Sequence, residues 1–520
     1  MEALDWLVIG VFFLALIGII VWVVRQKQND SADYFLGGRD ATWLAIGASI
    51  FASNIGSEHL IGLAGAGASS GMAMAHWEIQ GWMILILGWV FVPFYTRSMV
   101  YTMPEFLERR YNPQSRTILS VISLVSYVLT KVAVTVYAGG LVFQQVFGIK
   151  ELWGIDFFWI AAIGLVVLTA LYTIFGGMKS VLYTSVLQTP ILLLGSLIIL
   201  VLGFKELGGW DEMMRVCGAV TVNDYGDTMT NLIRSNDDAN FPWLGALIGS
   251  AIIGFWYWCT DQFIVQRVLS GKNEMEARRG TIFGAYLKLL PVFLFLIPGM
   301  IAFALHQKYI GAGGEGFLPM LANGTANADA AFPTLVAKLL PAGVKGLVVC
   351  GILAALMSSL ASLFNSSAML FTIDFYKRFK PETPEKKLVG IGQIATIVIV
   401  VLGILWIPIM RSVGDVLYTY LQDVQSVLAP GIAAAFLLGI CWKRTSAQGG
   451  MWGLISGMVI GLTRLGAKVY YSNAGEVADS TFKYLFYDMN WLFFCGWMFL
   501  FCIIVVIVVS LATKAPTAEK

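Results

Sequence analysis

The chain has 520 residues, of which 58% are hydrophobic and 13% are charged, and its formal net charge is +2. Soluble domains carry about 25% charged residues, so this composition excludes an ordinary soluble protein and indicates one that lies in a membrane. So small a net charge does not indicate nucleic-acid binding, and the sequence contains no glycine-rich phosphate loop that would bind ATP.

Long apolar stretches follow one another along the chain. A helix needs roughly 20 mainly apolar residues to cross the hydrocarbon core, and about thirteen such stretches occur. Runs such as LPVFLFLIPGMIAFAL do not alternate as the strands of a membrane β-barrel would. The sequence therefore predicts an all-α integral membrane protein. The approximate spans are 5–25, 43–66, 74–96, 118–147, 155–173, 181–203, 241–266, 277–305, 343–376, 388–409, 413–440, 447–467 and 490–512.

Basic residues occur in every second connection between these spans, most clearly in the run YKRFKPETPEKK after the ninth. Short loops rich in Lys and Arg stay in the cytoplasm. We therefore expect the N-terminus outside and the C-terminus inside, in the plasma membrane or, in a bacterium, the inner membrane. The first stretch lacks the basic start and the cleavage site of a signal peptide, so we interpret it as a retained span. The outside loops 204–240 and 306–342 contain nothing that indicates a partner protein.

Two spans are interrupted by polar residues. The second contains SNIGSEH and the seventh, five spans further on, contains WYWCTDQF. Irregular backbone survives in a membrane only where it lines a cavity, and transporters built from two inverted repeats carry such breaks at corresponding positions. Tight packing of small residues is the weaker interpretation, because it does not explain the ionisable groups. We expect a lead helix (1–30), a first repeat of five helices (31–240), a second repeat of five (241–444), and two trailing helices with a cytoplasmic tail (445–520).

Among the charged residues inside predicted spans are Glu78 in the third and Lys288 in the eighth. Each costs on the order of 3 kcal/mol at the bilayer centre, so each needs a partner. They could form a structural ion pair, or both could bind a polyhydroxylated solute in a water-filled cavity. Together with His59 and Gln422 they supply the mixture of donors and acceptors that sugar hydroxyls require.

Aromatic residues adjoin these polar segments at Trp77, Tyr257 and Trp258. Their flat apolar faces suit the C–H face of a pyranose ring. Aromatic residues of membrane proteins also serve as interface anchors or as core. The residues alone leave these roles open.

The ninth span contains LMSSLASLFNSSAMLFT, in which Ser358 and Ser359 follow Ala355 on one face. Hydroxyl oxygens, with the carbonyls that a broken helix frees, are the hard ligands that sodium prefers. Serines in membrane helices also bond back to carbonyls of their own helix. A sodium site and back-bonded serines are equally compatible with this pattern.

Several stretches are similar to those of one known family. They are DYFLGGRDATWLAIGASIFASNIGSEHLIGLAGAG, YTMPEFLERRY, YWCTDQFIVQRVLSGKN with the later YLKLLP, SSLASLFNSSAMLFTIDFYK and LAPGIAAAFLLGICWKR. On these stretches the chain resembles the solute:sodium symporter family, and within it the sodium/glucose (galactose) cotransporters. The resemblance implies a LeuT-type fold and uptake of a glucose-like or galactose-like hexose with sodium by alternating access, not an enzymatic activity.

The resemblance also implies the roles of individual residues. Tyr257 is similar to the inner gate that stacks on the bound sugar, and we expect Trp77 at the outer gate. The sodium ligands fall on the backbone carbonyls of Ala52, Ile55 and Ala355 and on the hydroxyls of Ser358 and Ser359. The sugar contacts fall on Asn54, His59, Glu78, Tyr257, Trp258, Lys288 and Gln422.

Four positions depart from the family pattern. Relatives that carry a second sodium ion, and many that carry one, have Asp where this chain has Ser185, and two-sodium relatives tend to have Thr or Ser in place of Ala361. We therefore expect one sodium ion per solute. Gly81 and Gly254 replace polar residues that touch the sugar in some relatives, which leaves the preferred sugar open. The thirteen-span count resembles proline and iodide carriers.

Other functions fit the residues less well. A hydrolase needs a nucleophile, a base and oxyanion donors, and only Ser57 and His59 lie close together in the sequence. A channel would show rings of filter residues or subunit symmetry. A sodium symporter for inositol, proline or sialic acid, or a sensor that responds to sodium and sugar, stays an alternative.

Overall fold

A computed structural model describes residues 1–26, 30–56, 58–321, 324–413, 417–473 and 478–516. Within these ranges, the side chains of residues 129–130, 409–413, 417–423 and 472–473 are not described. The α-helices of the first half are α1 (Ala3–Val24), α2 (Ser31–Leu36), α3 (Trp43–Asn54), α4 (Ala64–Ser70), α5 (Ala75–Ile79), α6 (Met83–Ile86), α7 (Val92–Ser98), α8 (Met103–Arg110), α9 (Pro113–Ser126), α10 (Ala133–Phe147), α11 (Phe157–Leu207) and α12 (Trp210–Gly218). Those of the second half are α13 (Trp243–Gly254), α14 (Gln262–Leu269), α15 (Glu274–Leu287), α16 (Ile297–Gly311), α17 (Ala331–Leu339), α18 (Val344–Met369), α19 (Lys377–Phe379), α20 (Glu385–Val413), α21 (Leu417–Cys441), α22 (Ala447–Asn473), α23 (Thr481–Lys483) and α24 (Trp491–Ala512).

Short turns of other helical types join several of these helices. The π-helical turns, which are wider than α-helix, are Glu58–Leu63, Leu87–Phe91, Tyr127–Val132, Phe255–Thr260, Val292–Leu296, Leu370–Tyr376 and Tyr484–Asp488. The tighter 3-10 turns are Gly37–Arg39, Gly71–Met74, Gln80–Trp82 and Ala328–Ala330. Because π-helical turns are rare and concentrate at functional sites, their presence at both interrupted spans is informative.

The prediction of an all-α membrane protein is confirmed. Within the described ranges, nine helical runs are long and apolar enough to cross a membrane. Some of these runs contain two predicted spans, and the count of thirteen spans stays a prediction. One small sheet was not predicted: β1 (Glu151–Leu152) pairs antiparallel with β2 (Ile155–Asp156). Trp153 and Gly154 both have positive φ, 56° and 75°, as a tight hairpin turn requires.

Helix α11 contains the two predicted spans 155–173 and 181–203 as two arms that meet at Gly177. This residue has φ 52° and ψ −146°, a conformation that residues with a side chain avoid. Its α-carbon faces the backbone carbonyl of Tyr34, which leaves no room for a Cβ. Glycine at this position therefore sets the angle between the two arms.

The helices that carry the site pack around α11 and α18. Helix α3 packs against α15, α11 and α18, while α21, α22 and α24 form a separate group that contacts α13. The lead helix α1 packs on α11 and α18. Its buried Asp5 accepts hydrogen bonds from the backbone N–H groups of Gly343 (2.7 Å) and Gly346 (2.8 Å). Asp5 thereby caps the N-terminus of α18.

We predict that Gly177→Ala lowers the free energy of unfolding by about 1–3 kcal/mol, because alanine cannot adopt this backbone conformation without strain. Thermal unfolding of the detergent-solubilised protein measures the change. The matched control is Gly164→Ala in the first arm of α11, where a Cβ would meet no atom within 4 Å. This control should be neutral or slightly stabilising, since alanine favours helix. Equal melting temperatures for the two variants would contradict the prediction.

Candidate functional site

The second predicted span is broken where sequence reasoning placed the break. Helix α3 ends at Asn54, Ile55 is extended (φ −77°, ψ 102°), and helical structure resumes in the π-helical turn that begins at Glu58. Gly56 lies against α18, and a Cβ at this position would be 2.7 Å from the Ser359 hydroxyl oxygen. The small residue at the break therefore lets α18 approach it closely.

The seventh predicted span is broken in the same way. Helix α13 leads into the π-helical turn, Asp261 is extended (φ −75°, ψ 127°), and α14 follows. The Asp261 carboxylate accepts hydrogen bonds from the Phe263 backbone N–H (3.1 Å) and from the Tyr127 hydroxyl. Its other oxygen lies 2.6 Å from the Lys131 ammonium nitrogen, and both side chains are buried. The second break is thus stabilised by the Asp261 side chain, at the start of α14, and by two side chains of the Tyr127–Val132 turn.

A small cavity lies between the two breaks. Its lining residues are Asn54, Glu58, His59, Trp77, Glu78, Gln80, Ile253, Tyr257, Trp258, Lys288 and Gln425. The structure therefore brings together all the predicted sugar contacts except Gln422, whose side chain lies outside the described residues.

Three buried ionisable side chains form one cluster in this cavity. The Lys288 ammonium nitrogen lies 2.5 Å from Glu78 Oε2 and 2.7 Å from His59 Nε2. The other Glu78 oxygen, Oε1, lies 3.2 Å from His59 Nε2. The two alternatives that the sequence left open, an ion pair and a solute-facing pair, are compatible, because the paired groups also line the cavity.

Several buried polar atoms of the cavity residues have no hydrogen-bond partner among the residues that the structure describes. They are Asn54 Oδ1, His59 Nδ1 and Gln80 Oε1. Leaving such atoms unsatisfied costs about 1–3 kcal/mol each. A bound molecule with several hydroxyl groups would satisfy both acceptors and donors of this kind.

Aromatic rings close two sides of the cavity. Tyr257 accepts a hydrogen bond from the Asn54 side-chain amide (3.0 Å) and packs edge-on against Trp258. Trp77 packs edge-on against Trp491, the first residue of α24, with ring centroids 5.6 Å apart. The predicted inner and outer gate residues therefore lie at different walls of one cavity.

A second small cavity adjoins the first. Its lining includes Lys131 and Ser359, and it shares Asn54, Glu58 and Tyr257 with the first cavity. The Tyr257 ring and two polar side chains are thus the wall between the two spaces.

The predicted sodium ligands lie on two elements that pack together, the end of α3 with its break and α18. All five are buried: Ala52, Ile55, Ala355, Ser358 and Ser359. The Ser359 hydroxyl donates to the backbone carbonyl of Ser53 at 2.6 Å, across the helix contact, instead of bonding back to its own helix. The Ser358 hydroxyl lies 3.3 Å from the Ser185 hydroxyl on α11. Neutral hydroxyls and carbonyls freed by a break form a donor set that fits a sodium ion.

The chain matches the profile of the sodium:solute symporter family over residues 34–457. It belongs to this family. The symporter is 37% identical over 533 residues to Sodium/myo-inositol cotransporter 2 of Mus musculus, with 100% of this chain and 78% of that protein covered. It is 38% identical over 537 residues to Sodium/glucose cotransporter 1 of Ovis aries, with 100% of this chain and 80% of that protein covered.

Among solved structures, the symporter is similar to the substrate-bound outward-open state of a Na⁺-coupled sialic acid symporter. The TM-score is 0.78 at 21% identity, and 99% of each chain is covered. This likeness shows the LeuT-type inverted-repeat fold that the motifs implied. The protein is a sodium-coupled solute symporter and not an enzyme, since its relatives are sodium cotransporters.

In this symporter, neighbouring side chains fill the space beside two glycines that depart from the family pattern. A Cβ at Gly254 would lie 2.6 Å from Gln80 Oε1, and a Cβ at Gly81 would lie 2.5 Å from Lys288 Cγ. The spaces left by the missing side chains are therefore filled by two polar side chains of the cavity.

Sequence reasoning missed several site residues of the symporter. Gln80 lies two residues after Glu78, and both face the cavity because the chain tightens into a 3-10 turn at Gln80. Gln425 lies one turn beyond a predicted contact and could have been found by helical spacing. The pairing of Lys131 with Asp261 was also missed. Each charge lies inside a predicted span and so needs a partner, but the sequence does not show which partner.

We predict that Lys131→Met and Asp261→Asn each lower the free energy of unfolding by about 3–5 kcal/mol, because each leaves a buried charge unpaired. The double variant should lose much less than the sum of the two, which is the sign of direct pairing. Thermal or denaturant unfolding in detergent measures all three. Arg215→Gln, at an exposed pair with Glu212, is the control and should not change stability measurably. Additive losses in the double variant would show that the two groups do not act as one pair.

Proposed function

We propose that the transported solute is an uncharged ring with several hydroxyl groups, a glucose-like or galactose-like hexose, taken up with one sodium ion per molecule. The observation that carries the proposal is the set of unsatisfied atoms, Asn54 Oδ1, His59 Nδ1 and Gln80 Oε1, beside a charge pair that is already compensated. Hydroxyl groups both donate and accept, so one polyol can satisfy all three atoms.

The charges of the cavity disfavour solutes with a carboxylate. Lys288 is held 2.5 Å from Glu78, and Glu58 adds a second carboxylate to the lining. An anionic solute would therefore meet no uncompensated cation among the described lining residues. This argument disfavours sialic acid and proline but not myo-inositol, which is the second candidate because a sodium/myo-inositol cotransporter is among the similar proteins.

Sodium enters the mechanism at the contact between α3 and α18. The ligands would be the carbonyls of Ala52, Ile55 and Ala355 and the hydroxyls of Ser358 and Ser359. Sodium favours the outward state, since a ligand shifts an equilibrium only by its different affinity for the two states. One charge that crosses a potential of 100 mV supplies about 2.3 kcal/mol. That energy corresponds to a ratio of nearly two powers of ten between the solute concentrations on the two sides of the membrane.

Tyr257 is the proposed inner gate. It lines both cavities and is held by Asn54, the last residue of α3. Movement of the first break would therefore release the ring and open a path from the solute cavity to the second cavity. Trp77 with Trp491 would close the outer side. The N-terminus lies outside the cell and the C-terminus in the cytoplasm in this proposal, with the protein in the plasma membrane.

The test of the solute is uptake into proteoliposomes with and without an inward sodium gradient. Radiolabelled glucose, galactose, myo-inositol, sialic acid and proline are compared. We expect sodium-driven accumulation of a hexose, loss of it in Lys288→Gln and in Gln422→Ala, and no accumulation of sialic acid or proline. Accumulation of myo-inositol alone would replace the hexose by the second candidate. Uptake of sialic acid or proline would overturn the charge argument.

The test of the sodium site is the sodium concentration that gives half-maximal uptake. We predict that Ser359→Ala raises it by at least about tenfold, since the loss of a hydrogen-bonding or ligating group beside a charge is worth that much. Ser367→Ala is the matched control, because this serine lies on the same helix and its hydroxyl has no partner among the described residues. The control should keep the wild-type sodium dependence. An unchanged sodium dependence in Ser359→Ala would remove this residue from the site.

A further inference from the structure

An apolar groove lies on the outer side of the helices, away from both polar cavities. It has an empty volume of about 1250 Å³ and lies between α9, the π-helical turn after α18, and α20. Its lining residues are Leu124, Val125, Val128, Phe371, Tyr376, Ile391, Ile394, Ala395, Val398, Ile399 and Leu402. Tyr376 is the one lining residue with a polar side-chain atom. The groove therefore suits a hydrocarbon chain and not the transported solute.

The height of the groove matches one leaflet of a bilayer. On α20 the lining extends from Ile391 to Leu402, which is about 16 Å at 1.5 Å per residue. The hydrocarbon core of a bilayer is about 30 Å thick. Because the groove begins near Tyr376, at the end of the span, it covers the leaflet on that side.

The same end of the groove carries exposed basic residues. Lys377 is paired with Glu385 at 2.9 Å. In contrast, Arg378, Lys380, Lys386 and Lys387 are exposed, and no carboxylate partner is found for them among the described residues. Arg378, two residues after the groove-lining Tyr376, donates to the Thr117 hydroxyl (2.5 Å) near the start of α9. A hydrocarbon groove with cations at its end fits an amphiphile with an anionic head.

Phe379 strengthens the assignment of this end to the membrane interface. Its side chain is 80% exposed although it is fully apolar. An exposed apolar ring among basic residues is typical of a segment that lies in the headgroup region, with the ring directed into the lipid. The basic residues therefore lie at the level at which a phosphate group would lie.

We propose that this groove binds an anionic phospholipid, with an acyl chain along α20 and its phosphate beside Arg378 and Lys387. The site does not depend on the identity of the transported solute. Anionic lipids of the cytoplasmic leaflet attract basic segments next to membrane spans, and each such residue contributes about a fivefold preference.

Native mass spectrometry of the full-length protein tests the proposal, with phosphatidylglycerol and phosphatidylcholine of identical acyl chains added in equal amounts. We expect one retained phospholipid per protein and a preference for phosphatidylglycerol of at least about fivefold. Arg378→Gln with Lys387→Gln should remove most of that preference while leaving phosphatidylcholine retention unchanged. Lys443→Gln, an exposed basic residue elsewhere, should leave the preference intact.

A second, independent experiment fills the groove with a large side chain. Val398→Trp places a large ring in the groove from an exposed position, so we expect loss of both lipids without loss of folding. Ile397→Trp is the matched control, because this residue is equally exposed on the same helix but does not line the groove. Equal lipid retention in the two tryptophan variants would overturn the proposal. Retention of no phospholipid by the wild type, or of both lipids equally, would also overturn it.

Discussion

The structure depends on one constraint: backbone that leaves helical geometry inside a membrane must find its hydrogen bonds within the protein, because lipid offers none. At the first break the extended residue is Ile55, and the Ser359 hydroxyl from α18 reaches the adjacent turn. At the second break Asp261 caps the next helix and is itself held by Tyr127 and Lys131. Each break therefore exists only where another helix packs on it, which is why breaks, packing and site occur together.

The same constraint explains the arrangement of charge. One buried ion pair, Glu78 with Lys288, lines the solute cavity together with Tyr257. In a second buried pair, Lys131 lines the other cavity and is held by Asp261. The Lys131 ammonium lies 4.6 Å from the centre of the Tyr257 ring, a distance at which a cation attracts an aromatic face. Both pairs are neutral overall, while the shared wall also contains the Glu58 carboxylate. These charges disfavour an anionic solute more than an uncharged one.

A feature could be predicted from the sequence when its signal lay within one short segment of the chain. The cost of a lone charge in lipid shows that Glu78 and Lys288 need partners, and the polar interruptions locate both breaks within a few residues. Motif resemblance then gives the fold. The same cost applies to Lys131 and Asp261, which also lie inside predicted spans, but neither segment indicates that the two residues pair with each other. Gln80 was missed because its orientation depends on a local 3-10 turn, and the hairpin before α11 was missed because its strands have only two residues each.

The first break is also the place at which ion binding becomes helix movement in the proposed mechanism. The Ser359 hydroxyl donates its hydrogen to the Ser53 carbonyl, so its lone pairs remain free for a cation. Sodium can therefore add an attraction between α3 and α18 without breaking that hydrogen bond. A state in which these oxygens are further apart binds sodium less tightly, and this difference in affinity is the whole of the ion's effect on the equilibrium. The close approach depends on Gly56, since a Cβ at that position would lie 2.7 Å from the serine oxygen and hold the two helices apart.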